Sequence, residues 1–479
     1  MFRNRCIVIF APGLVLLVLF GRWAQADTGA LTQLAYIKPP ASAPVPRFLA
    51  DTGLAFQYPS LGAMYESGST SATIFRDLDG DGDFSTGPVA TQVINPAGKA
   101  VRGIDIEGDT LALGVDTYDG KNARNAGAVF IYQWNSVNNT WQRTAILTNK
   151  VKDQRMGASV ELDGDMLVST TSVSPNKAII YRASGGNWSL IDSQEGKNSS
   201  LLDSDCAGCG VLSFPGTSVA FGVETGPGRR LQVDASANLV VIGDQAMDSL
   251  AGRVFVVKAQ GGNWSNVSGV SVAQLTPFLR DPGDRFGTSV SLVQLGEEHV
   301  LAVGANQEDG DGSGPADNSA PGAGAVYIFE TVNGVWPAHE TAYLKAADSR
   351  PSLYLGVSLA LDSSSTNLYV GASEFHAADC AASGHPAPGG GTLYHFSKAS
   401  GAWAEVQSIR GSNTECLDNS TGDYFGFELA YDAFTQTLMV AAPDEDGQKS
   451  NTVMPVGPAG PDSDDDSDDG AGSIYQFGL

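Results

Sequence analysis

Basic residues are scarce in this chain. Its 479 residues include 28 lysines and arginines against 53 aspartates and glutamates, which gives a formal net charge of −25 at pH 7. A surface this acidic repels phosphate groups, so nucleic acid and anionic membranes are poor partners for it. Beyond the N-terminus the chain also lacks the run of about 18 apolar residues that a spanning helix requires. The composition therefore predicts an acidic protein without a membrane span.

Residues and motifs that serve catalysis are few. The chain has 5 histidines, and His299 and His395 lie in apolar, strand-like segments where packing in the core is the default role. His376 and His385 flank Cys380 closely enough to suggest a thiol or metal centre as an alternative to a disulfide. No GxSxG, HExxH or phosphate-binding glycine loop is present. The sequence therefore favours a protein that is not an enzyme.

Residues 1–26 have the pattern of an export signal. Arg3 and Arg5 precede an apolar stretch at 7–20, and a small-x-small cleavage site ends at Ala26. The apolar stretch is too short for a membrane anchor. We expect cleavage after Ala26 and a periplasmic or extracellular location.

Cysteines are scarce too, and Cys6 lies within that signal. The four that remain are Cys206, Cys209, Cys380 and Cys416. An even number of cysteines in an exported chain indicates disulfides. We predict one bridge within the Cys-Ala-Gly-Cys loop and another between Cys380 and Cys416. The alternative, a zinc or redox centre, requires a second close cysteine pair or a βαβ surrounding, and the sequence offers neither.

A repeated pattern of strands is what the sequence has in abundance. Residues 286–329 show it best: an alternating segment that begins with Phe-Gly, a short turn, an apolar run, a long polar loop and an aromatic-rich segment. Similar units cover 101–134, 156–183, 229–257, 355–396 and 425–477. A tryptophan-marked turn introduces a fourth strand in most units, at Trp141, Trp188, Trp264, Trp336 and Trp403. Four strands in a unit of roughly 45 to 75 residues predict the blades of a β-propeller.

These motifs resemble the FG-GAP repeats of integrin α-subunit propellers and their bacterial relatives. The matching residues are Phe-Gly at 286–287 and 425–426, Val-Gly-Ala at 303–305 and 370–372, and Ala-Ala-Pro at 441–443. The resemblance covers nearly the whole mature chain and implies an all-β propeller that serves binding or cell adhesion. Integrin-type calcium loops lie between strands 1 and 2 of a blade. The corresponding turns are too short in the clear copies here, so those sites do not carry over.

We expect a single seven-bladed propeller of four-stranded antiparallel blades over residues 27–479. The blades are predicted at about 48–96, 101–149, 156–193, 221–276, 286–346, 355–410 and 425–479. The chain ends on a third strand, whereas residues 31–39 resemble the fourth strand at 339–346. We therefore predict that residues 31–39 complete the last blade and close the ring.

The loops of such a propeller divide between two faces. Loops that join strands 2 and 3, and those that join one blade to the next, emerge on one face, here called the long-loop face. The 1–2 and 3–4 turns emerge on the other, the short-turn face. The long polar segments belong almost entirely to the long-loop face: 116–126, 193–219, 306–323, 374–391, 409–424 and 444–472.

Long loops on one side of a rigid scaffold are where ligands usually bind, so we expect a monomer that holds a protein or glycan there. Two alternatives stay open. One is a propeller enzyme, a lyase or hydrolase of polysaccharide, which would require convergent carboxylates or histidines at the central channel. The other is a structural cell-surface or matrix protein without a discrete ligand.

The strongest local motif is Asp-Leu-Asp-Gly-Asp-Gly-Asp at 77–83. Asp77, Asp79, Asp81 and Asp83 occupy alternate positions, as in the first half of an EF-hand loop. Position 12 of such a loop is Pro88 here, so the usual bidentate glutamate is missing. We predict calcium in this turn between strands 3 and 4 of the first blade; the alternative is a solvated acidic turn.

A second acidic segment lies in the 2–3 loop of the fifth blade. It offers Asp309, Asp311 and Asp317 as candidate ligands of a cation. The alternative is a flexible polar loop.

Overall fold

A computed structural model describes a large part of the chain. The described residues are 31–37, 53–64, 70–81, 84, 87–120, 123–148, 152–171, 178–184, 187–190, 211–212, 231–234, 237–245, 247–262, 270–314, 316–373, 390–398, 401–411, 424–443, 453–455 and 473–478. The predicted signal at 1–26 lies outside them, as do Asp83 and all four cysteines of the mature chain.

Seven antiparallel sheets follow one another along the chain. Blade one contains β2 (Gly53–Gln57), β3 (Ser60–Met64), β4 (Ala72–Asp77) and β5 (Val89–Ile94), and blade two contains β6 (Gly103–Glu107), β7 (Thr110–Val115), β8 (Ala128–Asn135) and β9 (Thr140–Thr148). Blade three contains β10 (Met156–Asp163), β11 (Met166–Thr171), β12 (Ala178–Ser184) and β13 (Asn187–Leu190), with β14 (Val211–Leu212) paired to β12. Blade four contains β15 (Leu231–Asp234), β16 (Leu239–Asp244), β17 (Arg253–Ala259) and β18 (Val270–Leu275).

The remaining blades repeat this order. Blade five contains β19 (Phe286–Leu295), β20 (Glu298–Ala305), β21 (Ala325–Glu330) and β22 (Ala342–Leu344), and blade six contains β23 (Leu355–Leu361), β24 (Asn367–Ala372), β25 (Thr392–Ser397) and β26 (Ala404–Ile409). Blade seven orders its strands as β27 (Glu428–Asp432), β28 (Thr437–Ala442), β30 (Ser473–Gly478), β1 (Thr32–Ile37) and β29 (Val453–Pro455). Helix is confined in the described residues to single turns at α1 (Met247–Leu250) and the 3-10 turn Gln260–Gly262.

The first strands of successive blades pack against one another around the whole ring, from β27 through β2 and back to β23. The predicted seven-bladed propeller of four-stranded antiparallel blades is therefore confirmed. None of the described helices has the length and apolar content to cross a membrane.

The N-terminal strand closes the ring. Strand β1 pairs antiparallel with β30, as predicted for residues 31–39, and Tyr36 lies opposite Tyr475. The main-chain N–H of Leu31 also reaches Gln407 Oε1 on the outer strand of blade six (3.4 Å). One feature differs from the prediction: β29 pairs with the far side of β1, so β1 is not the outermost strand of blade seven. This fifth strand covers an edge that would otherwise present unpaired N–H and C=O groups.

Glycines at the blade boundaries explain the repeated motifs. Gly426 of the Phe-Gly pair has a φ of 89°, a left-handed conformation that glycine adopts without strain. A Cβ built on Gly371, the middle residue of Val-Gly-Ala, would lie 1.8 Å from the Gly426 carbonyl oxygen. The main chains of the two motifs therefore contact each other directly between blades six and seven, with no room for a side chain. The same contact recurs at Gly114 with Gly157, Gly243 with Gly287, and Gly304 with Gly356.

The hydrophobic core lies mainly between neighbouring blades. Val326 of blade five packs in one cluster with Leu359 and Val370 of blade six, for example. Phe425 at the start of blade seven meets Tyr475 edge to face, with the ring centres 5.1 Å apart. Alternation along the strands produces this arrangement, because each sheet buries one face against the previous blade and the other against the next.

Candidate functional site

The acidic turn lies where the sequence predicts it. Strand β4 ends at Asp77 and β5 begins at Val89, so the turn is the 3–4 connection of blade one on the short-turn face. One carboxylate oxygen from each of Asp77, Asp79 and Asp81 lies within 4.8 Å of the other two. Among the described residues this is the sole group of three or more potential ligands that is so close. Asp77 is buried, whereas Asp79 and Asp81 are exposed.

Main-chain hydrogen bonds give the turn its shape. Asp77 Oδ1 accepts hydrogen bonds from the N–H groups of Asp79 (3.1 Å) and Gly80 (3.3 Å). The N–H of Leu78 donates to the Pro88 carbonyl at the far end of the loop (3.0 Å). Asp77 therefore caps the turn that presents the next two carboxylates.

A buried phenylalanine anchors the other half of the loop. Phe84 is 1% exposed, and its ring meets Phe56 edge to face at 6.2 Å. Its N–H donates to Gln476 Oε1 in the last blade (3.2 Å). The loop is thus fixed at the junction of blades one and seven rather than projecting freely.

The pKa of Asp79 responds to the two carboxylates beside it. The pKa of Asp79 is raised first because its protonated carboxyl can donate a hydrogen bond to Asp77, with further contributions from partial burial and from the charge of Asp81. Burial raises the pKa of the neighbouring Tyr58 to about 12, and the Asp77 carboxylate, which accepts its hydrogen bond, adds to the shift. Three carboxylate oxygens this close together are a donor set of the kind that hard cations such as calcium accept.

Gly87 is a part of this turn that sequence reasoning missed. A Cβ built on Gly87 would lie 1.6 Å from Asp79 Oδ2, so the Asp79 carboxylate occupies the space of the missing side chain. The φ of Gly87 is 69°, which also favours glycine. The only sequence signal is a glycine in a turn, which does not indicate what it faces. Sequence reasoning also missed Tyr58, because this residue belongs to the 1–2 turn of the blade and is distant from the motif in the sequence.

Asp309, Asp311 and Asp317 do not converge in this way. Asp309 Oδ1 accepts from the N–H of Gly322 (2.7 Å), and Asp311 Oδ1 accepts from the N–H of Ser313 (2.8 Å). Asp317 Oδ2 accepts from the N–H of Asp311 (2.8 Å). That N–H, followed by the Ser319 hydroxyl, lowers the pKa of Asp317 to about 2. The three aspartates therefore hold the backbone of their own loop.

Beneath this loop lies a buried ion pair. Lys345 Nζ lies 2.6 Å from Glu308 Oε2, and both side chains are almost fully buried. The Tyr343 hydroxyl donates to Glu308 Oε1 (2.8 Å), and the N–H of Gly310 donates to Oε2 (3.1 Å). Glu308 therefore fixes the start of the loop to the outer strand of blade five.

A second buried carboxyl, Asp284, belongs to the connection that enters blade five. Burial raises its pKa to about 7, and the charges of Glu308, Asp281 and Asp309 add to this against the hydrogen bond from the Asp281 N–H. That hydrogen bond to Asp284 Oδ2 measures 2.6 Å.

Contacts with its neighbours hold the loop at 306–324 on both sides. Asn318 Nδ2 donates to Asp281 Oδ2 in the connection from blade four (2.8 Å). On the opposite side, the N–H groups of Ser352 and Tyr354 donate to the carbonyls of Pro321 (2.8 Å) and Gly322 (2.9 Å). This part of the long-loop face is therefore a braced platform with polar groups on its outside.

Two of the three histidines that the structure describes are buried in strands; the third, His339, is exposed. His299 and His395 lie in β20 and β25 and are buried. His395 Nε2 lies 2.9 Å from Asn367 Oδ1, and burial lowers the pKa of this imidazole. The segments that contain His376, His385 and the four cysteines lie outside the described residues, so both disulfides stay predictions.

A scan of the chain against protein-family models gives no match, and a search among curated proteins gives none either.

Proposed function

We propose that this protein is an exported, FG-GAP-like β-propeller that acts as a non-catalytic binding or adhesion module. Its ligand, a protein or a glycan, binds the long-loop face, and calcium stabilises the acidic turn on the short-turn face. The fold accommodates both enzymes and binding proteins. The long loops of this chain are what favours a binding protein over an enzyme here.

The observation that carries the proposal is the braced loop at 306–324. A loop that is fixed by Glu308 below and by both neighbouring connections loses little conformational entropy when a ligand binds to it. Its outer surface offers hydroxyl, amide and carboxylate groups, the groups that recognise glycans and polar protein surfaces. A rigid scaffold with long polar loops on one face is a common design of binding proteins.

Binding is tested by screening the mature protein, residues 27–479, on glycan and protein arrays with calcium or with EDTA. The affinity for any ligand that is found is then measured with two variants. Asn318→Ala removes the contact to Asp281, and Glu297→Ala on the short-turn face is the control. We expect the first variant to weaken binding and the second to leave it unchanged. Equal effects of the two variants, or turnover of a polysaccharide in place of stable binding, would refute the proposal.

Calcium is tested by the thermal unfolding of the same protein. With a Kd of about 10⁻⁴ to 10⁻³ M, 10 mM calcium would stabilise the fold by roughly 1.4–2.7 kcal/mol. We expect Asp79→Ala combined with Asp81→Ala to abolish most of this gain. Gly87→Ala should reduce it as well, because its methyl group displaces the Asp79 carboxylate. A full calcium response in the double variant would place the ion elsewhere.

A further inference from the structure

A cavity of about 340 Å³ opens at the mouth of the central channel on the short-turn face. The ends of the first strands of blades seven, one, two and three form its wall, together with the turn that follows β27. Its lining residues are Phe56, Gln57, Asp105, Ile106, Glu107, Glu161, Leu162, Asp163, Tyr431, Asp432, Ala433 and Phe434. Its volume is at the lower end of the range for ligand sites, which suits a single small group or side chain.

The wall of this cavity carries charge of one sign. Five of the lining residues are aspartate or glutamate, and none is lysine, arginine or histidine. Burial is the main cause of the raised pKa of Glu107, and the charges of Asp163 and Asp105 add to it. Three blades thus bring negative charge together in a concave, partly buried place, where it attracts cations more strongly than on an open surface.

Some of these carboxylates also brace the wall. Asp105 Oδ2 accepts from the N–H of Leu162 in the next blade (2.7 Å), and Asp432 Oδ2 accepts from the N–H of Tyr58 (3.1 Å). Asp432 Oδ1 caps its own turn through the N–H groups of Phe434 (3.1 Å) and Thr435 (2.7 Å). The cavity is therefore a rigid, preformed part of the ring.

The arrangement does not suit a bare metal ion. No three of these carboxylates belong to a group within 4.8 Å of one another, a condition that the described residues meet only at Asp77, Asp79 and Asp81. Between the charges lie Phe56, Ile106 and Leu162, whose side chains are almost fully buried in the hydrophobic cores. The spread of these carboxylates suits a cationic group that is larger than a single ion.

An aromatic ring stands at the rim. Phe434 is 85% exposed, and it stacks on Tyr58 with ring centres 6.0 Å apart and planes at 20°. Its outer surface is therefore available to an occupant of the cavity. Aromatic faces attract cations, and a guanidinium both stacks on such a ring and forms paired hydrogen bonds with carboxylates.

We propose that the channel mouth is a docking site for an arginine side chain of a protein partner. The guanidinium enters the carboxylate wall near Glu107 and Asp163, and the aliphatic stem lies against Phe434. This site is on the face opposite the long loops, so it is independent of the ligand proposed above and offers a second point of attachment.

The proposal is tested by calorimetry with the mature protein in three titrations, the first two at low salt. The probes are an acetylated, amidated Gly-Gly-Arg-Gly-Gly peptide, its citrulline analogue, which keeps the shape without the charge, and the arginine peptide at 0.5 M salt. We expect binding of the arginine peptide, no binding of the citrulline peptide and weaker binding at high salt. Equal binding of the arginine and citrulline peptides would overturn the proposal.

Variants separate the cavity from the general acidity of the surface. The double variant Glu107→Gln, Asp163→Asn should weaken binding of the arginine peptide by on the order of tenfold. Phe434→Ala should weaken binding of this peptide about two- to fivefold, and because the position is exposed the substitution should not impair folding. The control Asp311→Asn removes one charge on the opposite face and should change little. A loss with Asp311→Asn equal to that with Phe434→Ala would show unspecific attraction and refute the site.

Discussion

Asp284 makes a sharp test of the electrostatics under the long-loop face. Its carboxyl is 6% exposed, and burial together with three neighbouring carboxylates raises its pKa to about 7 from 3.8. Between these two values the folded chain holds a proton that the unfolded chain has released. The contribution of Asp284 to the unfolding free energy therefore falls as the pH rises from about 4 to about 7.

The size of the effect follows from the shift. About three pH units at roughly 1.4 kcal/mol each give an upper limit of about 4 kcal/mol. Asp284→Asn keeps the shape and neutrality of the protonated acid, and its amide oxygen can still accept from the Asp281 N–H. We expect the variant to exceed the wild type in stability by about 1 kcal/mol or less at pH 4.5 and by up to about 4 kcal/mol at pH 8.

Urea unfolding of both proteins at pH 4.5, 6 and 8 measures this difference directly, because the other carboxyl groups titrate in both proteins. Asp281→Asn is the matched control: it removes one neighbouring charge and leaves the burial, so most of the pH dependence should persist. If the unfolding free energies of the wild type and of Asp284→Asn differ by the same amount at every pH, the reasoning is refuted.

Three other outcomes are expected. Deletion of residues 27–40 removes β1, exposes the edge of β30 and should cause aggregation, measured by light scattering; a stable monomer would contradict ring closure by this strand. Gly371→Ala forces a methyl group against the next blade and should cost about 1–3 kcal/mol of unfolding free energy in urea, and an unchanged value would show that the blades separate easily. Non-reducing peptide mapping should link Cys380 to Cys416, a bridge that would contribute about 3–4 kcal/mol, whereas free thiols would contradict it.

Local pattern alone was enough to predict most of the strands, the seven blades and the acidic turn, although β14 and β29 lie in segments predicted as loops. Alternation of small or polar with apolar residues in segments such as Phe286–Leu295 indicates a strand, and this signal requires no knowledge of distant residues. The i, i+2 spacing of Asp77, Asp79 and Asp81 likewise lies within one turn. Even β1 was predictable, because its sequence resembles another fourth strand.

Contacts between distant segments were decided by the tertiary structure. The carboxylates of Asp309, Asp311 and Asp317 have a suitable composition for a cation site, but nearby N–H groups compete for their oxygens, and only the loop geometry shows that these N–H groups are bound. Gly87 faces Asp79 because the loop folds back on itself.

The channel mouth depends most on the closed ring. Its wall combines Phe56, Glu107, Asp163 and Phe434, which four different blades supply. No local spacing relates these residues, since each ends its own first strand or lies in the turn that follows it. They become neighbours only because seven sheets, each rotated relative to the last, bring their innermost strands around one axis.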